Sequence, residues 1–197
     1  TMPPGKTSYS LLKLKNRLDP LAAPQKVDGH LEGASHLANL PMVKRELIDA
    51  YVGLGANLGD ARRQLESAMV SLTCLPHTTL VARSSFYRSA PHEADGPDYV
   101  NAVAHIQTRL NACDLLAAFQ NIENLSGRVR PYPNAPRTLD IDLLLYGSGT
   151  IQSTVLQVPH PRMRDRAFVL MPLREIAPHL VSEAEISKVA HQAIWPL

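Results

Sequence analysis

From Leu47 onward, apolar and polar residues fall into repeating rows, and the rows predict the elements. Leu47 to Leu54 reads as a strand. Gly53 to Asp60 is a glycine-rich turn into a helix capped by Asp60; its apolar face is Leu65, Ala68, Met69 and Leu72, and Pro76 ends it. Thr79 to Arg88 is a second strand, Ser89 to Pro97 a loop rich in Pro, Asp and Gly, and Tyr99 to Thr108 a third strand. In that third strand Val100, Ala102, Ala104 and Ile106 share the core face, which leaves Tyr99, Asn101, Val103 and His105 on the other. Asn111 caps a second helix striped by Leu115, Phe119 and Ile122 and ended by Gly127, with Glu123 at the edge of its buried face. A proline-broken loop, Arg128 to Pro136, leads to a fourth strand in which Leu139, Ile141, Leu143 and Leu145 form one apolar row. Thr150 to Val158 makes a short hairpin arm, Met163 to Ile176 includes a helix closed by Pro178, and Ile186 to Ile194 makes a last short helix.

The order β-α-β, β-α-β predicts an α+β fold: a ferredoxin-like βαββαβ antiparallel sheet with helices on one face, plus the hairpin arm and C-terminal helices. The other face is expected to be free, and strand parity puts Asp140, Asp142, Tyr99 and Asn101 on it. Residues 1–46 stand apart, interrupted by Pro3, Pro4, Pro20, Pro24 and Pro41 and loosened by Gly5, Gly29 and Gly33. They are expected to form an irregular N-terminal extension to a domain at 47–197, with Met42 a candidate start just ahead of the first strand. Folds of this plan serve enzymes, RNA binders and regulatory modules alike, so function has to be argued from side chains.

The side chains that stand out are Asp140 and Asp142. Two residues of strand rise place their carboxylates roughly 6.5 Å apart on one face. At an effective dielectric of about 20 they would repel by about 2.5 kcal/mol. A cation between them removes that cost, and magnesium suits: it takes one or two carboxylates, keeps waters and accepts substrate phosphates. Arg128, Arg130 and Arg137 precede the pair, and a guanidinium grips phosphate through a planar fork of donors. Carboxylates beside an arginine cluster suggest phosphoryl-type transfer from a nucleotide; the plain alternative is the solvated face of an edge strand. The Gly53–Gly59 run is neither a P-loop nor GxGxxG, since Leu58 holds the third glycine's place.

Composition narrows the classes. At 45% hydrophobic residues the chain can bury a core, and no apolar run approaches a membrane span. The N-terminal 46 residues hold 7 Lys/Arg against 4 Asp/Glu and the rest 13 against 14. The body is therefore near neutral, which argues against broad nucleic-acid binding. Cys74 and Cys113 sit among apolar residues without metal-ligand spacing and read as reduced core thiols. With no signal-peptide pattern at the start, a cytoplasmic monomer is expected.

Four stretches together resemble the 6-hydroxymethyl-7,8-dihydropterin pyrophosphokinase family of folate biosynthesis. They are Gly53-Leu54-Gly55-Ala56-Asn57-Leu58-Gly59; Ser84 to Pro91 with Pro97-Asp98-Tyr99-Val100-Asn101; Glu123 through Gly127-Arg128-Val129-Arg130 to Pro136-Arg137-Thr138-Leu139-Asp140-Ile141-Asp142; and Val158-Pro159-His160-Pro161-Arg162-Met163 with Arg166-Ala167-Phe168. The resemblance covers about residues 47 to 180 and is most specific in the third stretch. It implies transfer of pyrophosphate from ATP to the pterin hydroxymethyl group, leaving AMP.

By that resemblance Asp140 and Asp142 hold two Mg2+ ions that bridge the ATP phosphates, and Arg128 and Arg130 lie on a mobile loop that closes over the triphosphate. Arg137, His160 and Arg166 contact ATP phosphates, while Gln120 and Glu123 lie on the nucleotide side. The pterin ring is sandwiched between Tyr99 and Phe168, and its edge is read by Asn101 and by backbone near Gly55, Ser89, Ala90 and Pro91. ATP and the pterin are the implied partners, with neither nucleic acid nor membrane. Two positions depart from the family. Asn134 stands where members often carry an aromatic, and Val155 and Gln157 stand where the arm can offer polar ATP contacts. A degenerate binding module of the same fold remains an alternative. So does a nucleotidyltransferase, although its Gly-Ser turn would lie a dozen or so residues before the acids. Arg162 and Arg164 read as a solvated face, and Gly53 as backbone packing.

Overall fold

The structure, a computed structural model, describes residues 45–91, 96–127 and 138–197. Strand β1, Ile48–Ala56, lies inside the sheet, between β4 (Tyr99–Thr108) and β5 (Asp140–Tyr146), antiparallel to both. On the far side of β4 pair β2 (Thr78–Arg83) and β3 (Tyr87–Ser89), and β8 (Ile194–Pro196) closes that edge against β3. The strand order is β5-β1-β4-β3-β8, with β2 also on β4. β6 (Ile151–Gln152) and β7 (Gln157–Val158) pair separately as the expected arm.

Helices α1 (Ala61–Thr73) and α2 (Ala112–Leu125) begin where their caps predict: Asp60 accepts from Arg63 N and Asn111 from Asp114 N. Their buried stripes, Leu65, Ala68, Met69 and Leu72 on α1 and Leu115, Phe119 and Ile122 on α2, join Ala50, Val52, Leu54, Ile106, Ile141 and Leu143 in one core. The expectation that the opposite face is free is overturned. Helix α3, Ala167–Ile176, lies across it and buries Tyr51, Val103 and Leu144 beneath Leu170 and Leu173. Burying a leucine stabilises by about 1.5–3 kcal/mol, so an apolar sheet face and an apolar helix do not stay apart. α4, Glu183–Val189, adds Val189 to this second core.

Three further expectations are corrected. Leu145 does not continue the row of Leu139, Ile141 and Leu143. Tyr51 pairs with Leu145 while Val52 pairs with Leu143, so a bulge at Leu144 turns both 144 and 145 toward the second core. The strand expected over 79–88 breaks after Arg83. There Ser84, 3% exposed, accepts from Val103 N at 3.0 Å and donates its own N–H to Val103 O at 2.9 Å, which replaces strand pairing. The last helix stops at Val189; its expected second half is a turn that leads into the edge strand β8 at Ile194.

Cys74 and Cys113 are free but exposed, not core thiols. Cys74 lies at the frayed end of α1, and Cys113 points away from the sheet beside buried Ala112 in the first turn of α2. No helix among the described residues is long and apolar enough to cross a membrane.

Candidate active site

The sheet carries a row of residues side by side: Asp140 of β5, Gly55 of β1, Asn101 of β4 and Tyr87 of β3 are successive cross-strand partners. Asp142, Gly53 and Val103 form the next row. Partners directly across a sheet share a face, and neighbouring strands lie about 4.8 Å apart, so Asp140 and Asn101 stand roughly 10 Å apart with glycine between them. A side chain at Gly55 would begin 3.4 Å from Asn101 Oδ1, and one at Gly53 3.4 Å from Leu144. The two glycines therefore leave a floor without side chains, while Ala56 and Asn57 beyond them are buried. The turn residue proper is Gly59, at φ 61°.

Above that floor lies a cavity of about 280 Å³. Asp140 and Asp142 form one wall and Ser89, Ala90, Tyr99 and Asn101 the other. Arg162, Asp165, Arg166 and Phe168, from the turn Met163–Asp165 and its flanks into α3, close the side left open by the sheet. Arg166 stacks its guanidinium 5.2 Å from the centre of the Phe168 ring. Asn101, 4% exposed, donates to Ser89 Oγ at 3.0 Å and toward Tyr87 O at 3.4 Å, which fixes its amide across the strand gap. Asn57 donates to Pro97 O at 3.2 Å and ties the β1–α1 turn to the loop before Tyr99.

His160 hangs from the chain reversal after β7. Its N–H donates to Leu144 O at 2.9 Å, and its Nδ1 accepts from Arg162 N at 3.3 Å. A neutral ring in that setting carries its proton on Nε2. Burial lowers the imidazole's pKa; Asp142 and Asp140 pull it back up, and Arg166 and Arg162 push it further down. Those fields come from the carboxylates and guanidinia of the site, although His160 itself is not among the residues that line the cavity.

Of the residues picked from sequence, Gly55, Ser89, Ala90, Tyr99, Asn101, Asp140, Asp142, Arg166 and Phe168 all line this cavity. Pro91 lines a smaller neighbouring recess of about 240 Å³ behind Phe168. Gln120 is exposed on α2 and does not line the cavity. Glu123 is 3% exposed, and its Oε1 accepts from Ile141 N at 2.9 Å, bracing the backbone between the two aspartates. Arg128, Arg130 and Arg137, with Asn134, lie outside the described residues. The reading of Arg162 and Arg164 as one solvated face separates: Arg162 lines the cavity, whereas Arg164 donates to Leu180 O and pairs with Glu185. Arg162, Asp165 and Gly53 were missed. The four-residue spacing of Arg162 and Arg166 around a chain reversal was the available signal.

The family model described as 7,8-dihydro-6-hydroxymethylpterin-pyrophosphokinase (HPPK) matches residues 51–178. A curated relative from Haemophilus influenzae, 2-amino-4-hydroxy-6-hydroxymethyldihydropteridine pyrophosphokinase, is 49% identical over 136 residues, covering 68% of this chain and 85% of that protein. A relative of the same name from Pseudomonas aeruginosa is 48% identical over 131 residues, covering 66% and 81%. Among solved structures, wild-type Plasmodium falciparum HPPK-DHPS superposes with a TM-score of 0.54 at 13% identity. That match covers 68% of this chain and 42% of the Plasmodium chain, so this chain spans less than half of that protein and the likeness is one of fold.

Proposed function

The chain belongs to the 7,8-dihydro-6-hydroxymethylpterin-pyrophosphokinase family, and from that premise we propose how its residues divide the reaction. The pyrophosphoryl group passes from ATP to the hydroxymethyl oxygen of 6-hydroxymethyl-7,8-dihydropterin. A new O–P bond forms at the β-phosphorus, the bridge to the α-phosphate breaks, and AMP leaves with that bridging oxygen; the alcohol proton goes to solvent. The observation that carries this reading is one cavity lined at one end by the Asp140–Asp142 pair and at the other by Tyr99 and Phe168, with the Gly53–Gly55 floor between.

At the recess, Tyr99 and Phe168 take the two faces of the pterin ring, and Asn101, held by Ser89, reads its edge. At the other end Asp140 and Asp142 would hold magnesium. The donor set fits a hard cation that shares its shell with substrate. The two carboxylates would supply oxygens to such an ion, with substrate phosphate and water oxygens as its other donors. Bound there, two magnesium ions would neutralise the phosphate charge that otherwise repels the attacking oxygen. His160 donates from neutral Nε2 and Arg166 from its guanidinium to phosphate oxygens; Arg128, Arg130 and Arg137, outside the described residues, would add further guanidinium donors to phosphate. Such fixed donors stabilise charge as it develops, and no strong base is required. Glu123 positions the Asp140–Asp142 strand. The strand order supports a ferredoxin-like plan extended by β8, and we take residues 47–197 as one catalytic domain that acts as a monomer.

The test is direct. Purified chain with ATP, Mg2+ and the pterin forms AMP only when pterin is present, and Asp140→Asn lowers the rate at least about a hundredfold, since the ion supplies several kcal/mol. ADP as the nucleotide product, or AMP formation that ignores the pterin, overturns the reading.

A further inference from the structure

The cavity's third side rests on the C-terminal segment. Residues 163–168 hold Arg166 and Phe168, yet Arg166 caps α3 without any side-chain hydrogen bond of its own to the helix. An α-helix leaves its first N–H groups without intrahelical partners, and here one of them is met from elsewhere in the chain. Ala167 N donates to Gln192 Oε1 at 2.8 Å, and Gln192 Nε2 donates back to Asp165 O at 2.8 Å. One amide thus grips the backbone on both sides of Arg166.

The grip is part of a line. Glu185 pairs with Arg164 at 3.0 Å, and Lys188 pairs with Asp165 at 2.5 Å. Glu185 and Lys188 share one face of α4, and Gln192, three residues past the end of α4 at Val189, reaches the same segment from the turn that follows. A capping box at Ser182 and Glu185 fixes the start of α4, so the line begins from an ordered turn. Gln192 and Ile194 also back the recess behind Phe168.

We infer that Gln192 is a positioning residue for the site: through its two backbone hydrogen bonds it sets the placement of Arg166 and Phe168 together, and so couples the phosphate grip to the pterin wall. The Lys188 pair is exposed and contributes little by itself, and the part-buried Glu185 pair holds Arg164 rather than the backbone beside Arg166; the amide that grips that backbone is the specific element. This inference rests on the roles proposed above for Arg166 and Phe168.

The experiment compares wild type, Gln192→Met and Gln192→Glu in the pterin-dependent AMP assay, with melting temperatures recorded for each. Methionine keeps the volume and removes both hydrogen bonds; glutamate keeps the acceptor for Ala167 N and loses the donor for Asp165 O. A displacement of about 1 Å in a substrate-binding group can cost roughly a hundredfold. Accordingly Gln192→Met is expected to raise the KM values for ATP and for pterin together, by about tenfold each, with Gln192→Glu between it and wild type. A merely structural role predicts lowered melting with KM values unchanged, and that result overturns the inference. If Gln192→Met does not fold, Gln192→Glu decides alone: raised KM for both substrates supports the positioning role, and wild-type KM values overturn it. A wild-type chain without pterin-dependent AMP would sink the functional reading itself, whereas active wild type beside unaffected variants sinks only the role of Gln192.

Discussion

Glycine inside a strand costs roughly 0.5–1 kcal/mol relative to alanine, and β1 holds two, Gly53 and Gly55, on the face that carries the site. Their use is space. Valine at 55 would suit the strand better by intrinsic preference, but its γ-carbons would extend from a Cβ already 3.4 Å from Asn101 Oδ1 into the cavity. Gly55→Val should therefore fold with an unchanged or higher melting temperature and yet bind pterin poorly. Overpacking costs typically about 1–3 kcal/mol, a loss of roughly fivefold to a hundredfold in affinity. Isothermal titration with the pterin checks this, and wild-type affinity would show that the floor does not face the ligand. At this scale much was readable beforehand. Asp140, Asp142, Tyr99 and Asn101 were placed by parity, because a period of two leaves no choice of face. Gly55 is assigned to the pterin only through the family resemblance, and Gly53 reads as packing, because a glycine that lines a cavity and one that makes a turn look alike in a sequence.

Among elements, the join between α3 and the broken edge of the sheet is the least expected. Glu175 of α3 accepts from Ser85 N and Oγ at 2.9 Å each and from Tyr87 OH at 2.9 Å. One carboxylate thus satisfies the chain where β2 stops and β3 begins. The Tyr87 phenol is pushed up to about 12, first by burial and then by the hydrogen bond to and charge of Glu175. Folding therefore favours the neutral phenol. The stability this linkage contributes is fully present below the ordinary tyrosine value near 10 and is lost as pH rises toward about 12. Burial also raises Tyr51 and Tyr146, so absorbance titration should show several of the chain's six tyrosines ionising late, with Tyr87, near 12, held up by Glu175 as well. In Glu175→Gln the Tyr87 midpoint should fall part of the way back, because burial remains. A midpoint unmoved by that substitution would rule out the carboxylate as a cause. No local pattern announced this join. A strand break, the bulge at Leu144 and the docking of α3 are settled by which distant groups satisfy a backbone N–H or cover an apolar row. Helices α1 and α2 and the longer strands, by contrast, are legible from caps and periodicity.

For the whole molecule, the two sides of the sheet do different work. The face toward α1 and α2 is apolar along its length, whereas the opposite face is divided: α3 covers one part around Val103 and Leu144, the site occupies another, and hydrogen-bonded Asp49, His105 and Gln107 lie at the far end. The site therefore needs both cores, one to hold the strands in register and one to bring Arg166 and Phe168 over them. Among the described residues the fully buried members of those cores run from Ala50 to Val189. The family match at 51–178 falls inside the same span. A chain beginning at Met42 keeps Arg45, which pairs with Asp114 on α2 at 3.3 Å, and keeps every core residue and every group assigned to the substrates. That shortened chain is expected to melt at the temperature of the full chain and to form AMP with the same KM for ATP and for pterin. Calorimetry and the AMP assay, run on both, check this. Unchanged melting with an altered KM would make residues 1–41 part of the site. Lowered melting would make them part of the domain, and the boundary drawn at residue 47 would then be wrong.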